Sequence, residues 1–330
     1  MIEKSKILMF YPYGATKHYG EAIKAELEKR GAIVYGYDER PSQTSFMKII
    51  IRLFKKKIPQ IFDKYVSTII AKHANTRFDY ILICRGEAFT PYTINHLREA
   101  FPDSKIILYL WDILKCADVR ENIPYCDNVF SFDPEDARQN NISFRPLFYI
   151  NDYLDVKQAL KPQHDLLFIG TLHSNRHIVV NQISQFCINN GISLFSYLYV
   201  PSFIVYIKDL LLKFPYIGIS KVNFTPIDIK QTIEVINNSK AIIDINYSGQ
   251  KSLSSRACEA MASRRKYITT NAEVTKYDFY KPNNILVVDL NNLDIPKDFI
   301  NSDFEDIDKT IMSRYSVSGL VDDLFNFDIK

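Results

Sequence analysis

Short apolar runs recur along the chain, and each stops at a polar or small residue before a turn or a helical pattern begins. KILMFY at 6–11 reads as a buried strand, Pro12 to Gly14 as a turn, and the following periodicity predicts a helix from about Tyr19 to Arg30, closed by Gly31. AIVYGYD from Ala32 is the next strand, so the chain opens as strand, helix, strand, the mark of a parallel sheet with helices on its faces. Two further buried strands, DYILICRG at 79–86 and KIILYLWD at 105–112, flank a helix expected over Pro91 to Ala100. A last strand, NVFSFD, ends at Asp133. In open α/β sheets ligands bind outside the carboxyl ends of the strands, which predicts that Arg85, Gly86, Glu87, Asp112 and Asp133 line one cleft.

The pattern restarts at Asp165 with DLLFIGTLHSNR, a strand and glycine turn leading to a helix from about Asn175. The polar stretch KPQH before it places the division between 155 and 164, giving lobes of 1–157 and 158–330. The second lobe then reads as strand ISLFSYL, an apolar segment around 199–219, strand-like VNFTP, helix 228–239, strand AIIDIN, helix 254–263, and strands KYITTN and NILVVDL. The tail from Ile307 reads as helical and is expected to pack back on the first lobe. A chain of 330 residues exceeds what one hydrophobic core usually supports, and no repeat of 20 to 50 residues is present. The expected class is α/β, two doubly wound lobes in tandem.

With 47% hydrophobic and 24% charged residues the chain has the composition of a folded globular protein. Its 41 basic and 38 acidic residues are interspersed, too balanced for a dedicated nucleic-acid binder. Five scattered cysteines without a CxxC pair indicate neither a disulfide framework nor a zinc site. The apolar run before Pro12 is too short for a signal peptide, and no apolar run reaches membrane-spanning length, so a cytoplasmic location is expected. The basic apolar stretch at 45–62 suits a helix lying on an anionic membrane surface from that side, or a cationic helix packed on its own lobe.

The stretch from Asp244 to Asn271 carries the most chemistry. A strand ends, a loop rich in Ser and Gly follows, and a helix begins near Ser254, where unpaired N–H groups and partial positive charge suit a diphosphate. Arg256 in the first turn adds a planar donor fork. Glu259, three residues on, shares a face with it and can accept two hydrogen bonds from a ribose diol. Capping and surface charge are the alternative role for both.

In the first lobe Gly14 permits a tight turn in the loop PYGATKHYG, and His18, Glu87 and Asp112 are rival general-base candidates. Trp111 beside Asp112 either holds a sugar ring or packs in the core. Asp133 either binds a ligand or serves the turn before Pro134. His173 and His177 have zinc-compatible helical spacing, but no third ligand or HExxH pattern accompanies them, so no metal is expected.

EAMA at 259–262, set between a loop that leaves a strand and a strand ending ITTN, resembles the donor-site motif of GT-B glycosyltransferases with a group 1 type of C-terminal lobe. FIGTLHSNR at 168–176 resembles the first strand and turn of the same lobe, and the ordered set with WDIL and FDPEDA is similar to glycosyltransferases of bacterial capsule and lipopolysaccharide assembly. The resemblance implies the GT-B fold, two Rossmann-like lobes facing across a cleft, the first for the acceptor and the second for a nucleotide-diphosphate sugar. It implies that Glu259 binds the ribose, that Gly170 lets the backbone approach the phosphates, and that Arg176 contacts the diphosphate. The donor set is then Gly170, His173, Arg176, Gln250, Lys251, Ser254, Ser255, Arg256 and Glu259, with Gly14, Trp111 and Asp133 toward a saccharide or lipid-linked acceptor. Retaining members carry a second Glu where this chain has Lys251, which leaves the stereochemical course open. No cofactor beyond the nucleotide-sugar co-substrate and no metal is implied. A nucleotide-sugar 2-epimerase of the same two-lobed fold, and a non-enzymatic two-lobed ligand-binding protein, are the competing expectations.

Overall fold

The computed structural model describes residues 2–44, 47, 51, 59–157, 159–172, 176–200, 203, 206–207, 222–246 and 251–326, without the side chains of residues 59, 176 and 177. The chain forms two compact units. One comprises Met1–Leu147, Gln250–Ser252 and Arg314–Lys330, the other Phe148–Gly249 and Leu253–Ser313. The first long run therefore ends before residue 157, and short pieces of later sequence complete the first unit.

The first unit begins with β1 (Lys6–Tyr11), α1 (Lys17–Lys29), β2 (Ile33–Asp38), α2 (Pro59–Lys72) and β3 (Tyr80–Cys84). It continues with α3 (Pro91–Ala100), β4 (Lys105–Leu110), β5 (Asn128–Ser131), α4 (Pro134–Asn140) and the short β6 (Ser143–Phe144). All its strands are parallel, in the order β2-β1-β3-β4-β5-β6. Helices cover both faces of such a sheet, so its central strands bury nearly every side chain and read as continuous apolar runs, while the edge strands β2 and β6 stay partly exposed. Ile7, Leu8, Met9 and Phe10 are all fully buried, as are Ile81 to Cys84 and Ile106 to Tyr109. α1 lies unusually close to β1 at Gly20, where a Cβ would stand 2.1 Å from the Tyr11 ring. α3 starts where Thr90 accepts a hydrogen bond from Thr93 N and Pro91 fills the first turn.

The second unit holds β7 (His164–Thr171), α5 (Arg176–Asn190), β8 (Leu194–Tyr199), α6 (Ile229–Asn237), β9 (Ser239–Asp244), α7 (Ser255–Ala262), β10 (Lys266–Thr269), β11 (Ile285–Val287), α8 (Lys297–Asn301) and all but the last residue of α9 (Lys309–Arg314). Its strands are also parallel, ordered β11-β10-β9-β7-β8 around a core that includes Leu166, Phe168, Ala241, Ile243 and Ile268. α6 opens with a reciprocal capping box between Asp228 and Gln231. VNFTP does not form a strand: a single bridge joins Asn223 to Tyr199, and Pro226 and the Asp228 cap turn the chain into α6. Most of the apolar segment 199–219, like most of 45–62, lies outside the described residues.

The last helix, α10 (Val317–Phe325), belongs to the first unit, as the sequence pattern predicted for the tail. Arg30 at the end of α1 pairs with Asp322 at 2.5 Å and donates to Ser318 O at 2.8 Å, and Phe325 packs edge-on to Tyr80. Both sheets have the same winding, in which the first strand lies between the second and the third. The chain reverses direction across the sheet at β1/β3 and at β7/β9, and such reversals open a crevice at the carboxyl ends of the strands.

Candidate functional site

In the second unit α7 begins close to one of these reversals, after the loop that leaves β9. Asp244, the last residue of β9, accepts hydrogen bonds from Ser254 Oγ at 2.6 Å and Tyr267 OH at 2.9 Å. Burial, followed by the charge of Asp244, pushes the Tyr267 phenol well up, so it stays a donor to that carboxylate. Ser254 is the N-cap residue of α7, yet its side chain makes no cap hydrogen bond, because its hydroxyl is turned to Asp244. Ser255 follows as the first helical residue.

One turn along, Arg256 Nη1 meets Glu259 Oε2 at 2.5 Å. Glu259 is 2% exposed while the Arg256 side chain keeps 19% of its surface, so the pair has a dry and a wet end. A carboxylate at that depth requires a charged or hydrogen-bonding partner, and a guanidinium supplies both. Gly170, half-buried in β7 beside Leu198, has an ordinary backbone conformation. Arg176 is the first residue of α5, while His173 and Gln250 lie outside the described residues.

Lys251 and Ser252 fall in the first unit. Lys251 is half-exposed and stands 3.6 Å from Glu135. Ser252 N donates to Asp133 Oδ2 at 3.0 Å. The other Asp133 oxygen accepts from Glu135 N and Asp136 N, as the N-cap of α4. Both carboxylate oxygens of Asp133 are thus taken up by backbone N–H groups, and it is buried, which is the arrangement of its alternative role in the turn before Pro134.

The carboxyl ends of β2, β3 and β4 carry a second group of charges. Arg85 reaches three carboxylates: Asp112 Oδ2 at 2.6 Å through Nε, Glu87 Oε2 at 2.7 Å through Nη2, and Glu39 Oε1 at 3.5 Å through Nη1. Arg40 adds a 2.5 Å bond to Glu87 Oε2 and lies 3.6 Å from Glu39 Oε1. Side-chain exposure falls from 38% at Asp112 to 6% at Glu87 and none at Glu39. Of the rival bases, Asp112 is the carboxylate that a solvent-borne group can touch. His18 sits in the first turn of α1 with its ring 4.2 Å from that of Tyr19. Trp111 lies edge-on to both Tyr19 and Tyr109, and among the described residues its buried Nε1 has no hydrogen-bond partner. Gly14 is exposed, its φ is ordinary, and a Cβ there would meet Gln43 Oε1 at 3.6 Å, so the turn does not demand glycine.

No protein-family model matches the chain, and no curated protein matches it in sequence. Solved structures do match in shape. A lipopolysaccharide outer core galactosyltransferase, WaaB in its apo form, superposes with a TM-score of 0.53 at 12% identity, covering 97% of this chain and 99% of its own. A glycosyltransferase from Rickettsia africae gives 0.54 at 12% identity over 99% of this chain and 89% of its own. A Listeria monocytogenes protein described as a UDP-N-acetylglucosamine 2-epimerase gives 0.50 at 10% identity over 99% and 98%. The chain has the GT-B fold.

Each half of a GT-B fold repeats one doubly wound sheet, which is why the same strand order recurs here in both units. The strand ends in the sequence mark Arg85, Glu87 and Asp112 but not Glu39 and Arg40. Their signal is the sheet order: β2, β1 and β3 are neighbours, so residues just past Asp38 and Cys84 come together although 45 positions separate Arg40 from Arg85. Among the described residues no group of three or more His, Cys, Asp or Glu side chains is arranged to hold a metal ion. Nor is any helix long and apolar enough to cross a membrane.

Proposed function

We propose that this GT-B protein is a glycosyltransferase that moves a sugar from a nucleoside-diphosphate sugar to a hydroxyl acceptor. The observation that carries the reading is the start of α7, where the cap serine is turned to Asp244 and Arg256 and Glu259 follow on one face. A helix start without a side-chain cap, next to a guanidinium, suits a diphosphate. Glu259 suits the ribose diol, exchanging its bond to Arg256 for bonds from the two hydroxyls and freeing the guanidinium for phosphate. Gly170 and Arg176, at the end of β7 and the start of α5, belong to the same half of the fold and complete the donor side.

In the first unit Asp112 is the base. It takes the proton of the acceptor hydroxyl as that oxygen bonds to the sugar's anomeric carbon, and the bond from that carbon to the phosphate oxygen breaks, releasing the nucleoside diphosphate. The acceptor is a saccharide or a lipid-linked saccharide of bacterial surface polysaccharide assembly, reached from the cytoplasmic face of the membrane. Similarity of shape to a lipopolysaccharide galactosyltransferase and the basic apolar sequence at 45–62 support that assignment.

A thermal-shift screen against UDP, GDP, ADP and their sugars tests the donor site, because a ligand that binds the folded state raises its melting point by mass action. Stabilisation by at least one diphosphate, and less by its nucleoside, is expected. No shift with any of them refutes the reading.

The second reading, a nucleotide-sugar 2-epimerase, is favoured by the similarity of shape to the Listeria protein over nearly the whole of both chains. It uses the same donor half without an acceptor. Interconversion of the free nucleotide sugar in the absence of acceptor selects the epimerase, and acceptor-dependent release of nucleoside diphosphate selects the transferase.

A further inference from the structure

Glu39 has no part in the transfer step as just described, yet it is among the most buried charges of the first unit. It follows β2, is 1% exposed, and its backbone N–H donates to Tyr11 O at the end of β1. Among the described residues neither of its carboxylate oxygens receives a hydrogen bond. A buried carboxylate without a donor is costly, and guanidiniums at 3.5 and 3.6 Å offset that cost only in part. With all five groups ionised, Arg40 and Arg85 balance Glu87 and Asp112, so Glu39 is the unbalanced charge.

The backbone shows how Arg85 comes to serve both sides. Its φ is 74° and that of Gly86 is 72°, two consecutive left-handed residues at the end of β3. A side chain other than glycine rarely occupies that region, and such strain persists where the surroundings over-determine it. Gly86 has no room for a Cβ, which would stand 2.7 Å from Leu108 Cδ1. The turn lays the guanidinium across the strand ends with Nε toward Asp112 and Nη1 toward Glu39.

We infer that Glu39 is a positioning residue, which through Arg85 fixes Asp112 Oδ2 and leaves the other Asp112 oxygen to receive the acceptor's proton. The inference rests on the glycosyl-transfer reading for the proton it names, but the linkage from Glu39 to Asp112 stands on geometry alone. Among the described residues Asp112 Oδ1 has no hydrogen-bond partner. The groups facing Glu39 are Arg85, Arg40, Glu87, Asp112 and the Cys84 thiol. When Glu39 is ionised it anchors the far end of Arg85 and so keeps Nε on Asp112 Oδ2, while its charge opposes further negative charge in the cluster. When Glu39 is neutral, Arg85 serves Asp112 and Glu87 alone.

The test compares the full chain with Glu39→Gln and Glu39→Asp, measuring nucleoside-diphosphate release from UDP-glucose, UDP-N-acetylglucosamine and GDP-mannose across pH 5 to 9. Glu39→Gln is expected to lower kcat about tenfold with KM for the nucleotide sugar unchanged, and to move the acid limb of the profile down by about half a pH unit. Glu39→Asp, which keeps the charge, falls between the two. An unchanged acid limb and kcat overturn the inference. If the wild type turns over none of the three sugars, the transfer reading fails, and the linkage is judged by melting temperatures of Glu39→Gln, Asp112→Asn and the double variant at pH 8.5. Non-additive shifts uphold the linkage, and shifts that add within error overturn it.

Discussion

Ser254 gives its hydroxyl to Asp244 at 2.6 Å, so the serine placed to cap α7 does not cap it. The contrast within the same chain is Ser316, which accepts from Gly319 N at 3.0 Å and caps α10 in the usual way. Asp244→Ala releases Ser254 to turn onto the helix N–H groups and leaves the buried Tyr267 hydroxyl without its acceptor. We expect a stability loss of about 1–3 kcal/mol from the loss of that charged acceptor, together with weaker diphosphate binding from the competing cap. Chemical denaturation and calorimetric titration with UDP measure the two effects separately, and unchanged UDP affinity would reject the role given to the uncapped helix start.

The Arg256 and Glu259 pair predicts two different losses. Glu259→Ala removes a charged acceptor from the ribose, worth about 1.5–3 kcal/mol of nucleotide affinity, and should weaken nucleoside and nucleoside diphosphate alike. Arg256→Ala should weaken the diphosphate far more than the nucleoside. Titration of each variant with uridine and UDP distinguishes the two, and equal losses for both ligands in Arg256→Ala would refute its phosphate role.

How much of this was legible in the sequence depends on whether a feature is local. β1 was readable as Lys6 to Tyr11 because a strand buried on both faces has no polar interruption, and α3 as Pro91 to Ala100 because Thr90 and Pro91 mark a helix start. The two-lobed α/β class follows from the repetition of such units. Glu39 was not legible, since a Glu after Asp38 looks like surface charge until sheet order brings it beside Arg85. Asp133 was legible as one of two alternatives, a ligand residue or part of the turn before Pro134, and its place as the N-cap of the helix that follows was not. The bond from Ser252 N that occupies its second oxygen was not, because 119 positions separate the two residues.

Gly20 and Gly14 stand in the same N-terminal stretch but predict opposite outcomes. A Cβ at Gly20 would stand 2.1 to 2.8 Å from the root of the Tyr11 side chain, which is fixed between α1 and β2, so α1 must move away from β1. Gly20→Ala should cost about 1–3 kcal/mol or more, the range for overpacking a core. Gly14→Ala meets only ordinary contact and should stay within about 0.5 kcal/mol of wild type. Denaturant midpoints measure both, and equal stabilities for the two variants would show that α1 is not packed on β1 through Gly20.

Two buried groups of the first unit give stability slopes of opposite sign with pH. Burial pushes Glu39 up to about 7, against the pull of Arg85 and Arg40, so between the unfolded carboxyl value near 4.5 and that pH the folded state holds the proton more tightly. Its contribution is therefore fully present below about 4.5 and is lost as pH rises toward 7, at no more than about 1.4 kcal/mol per pH unit. His73 runs the other way. Burial, with Lys72 adding to it, lowers its pKa, and its Nε2 shares a 2.7 Å hydrogen bond with Tyr37 OH. The folded state keeps this imidazole neutral, so its stability is present above the unfolded value near 6.5 and is lost as pH falls below it. In the wild type the two slopes partly cancel between pH 5 and 6.5, which is why the variants are informative. Glu39→Gln should make the protein lose more stability than wild type as pH falls from 7 to 5, because the compensating slope is gone, while at pH 8 it should be the more stable of the two. His73→Gln, which keeps a polar partner for Tyr37, should lose less than wild type over the same interval. Urea unfolding at pH 5, 6, 7 and 8 resolves the three curves, and parallel curves for wild type and Glu39→Gln would mean that Glu39 carries its charge throughout that range.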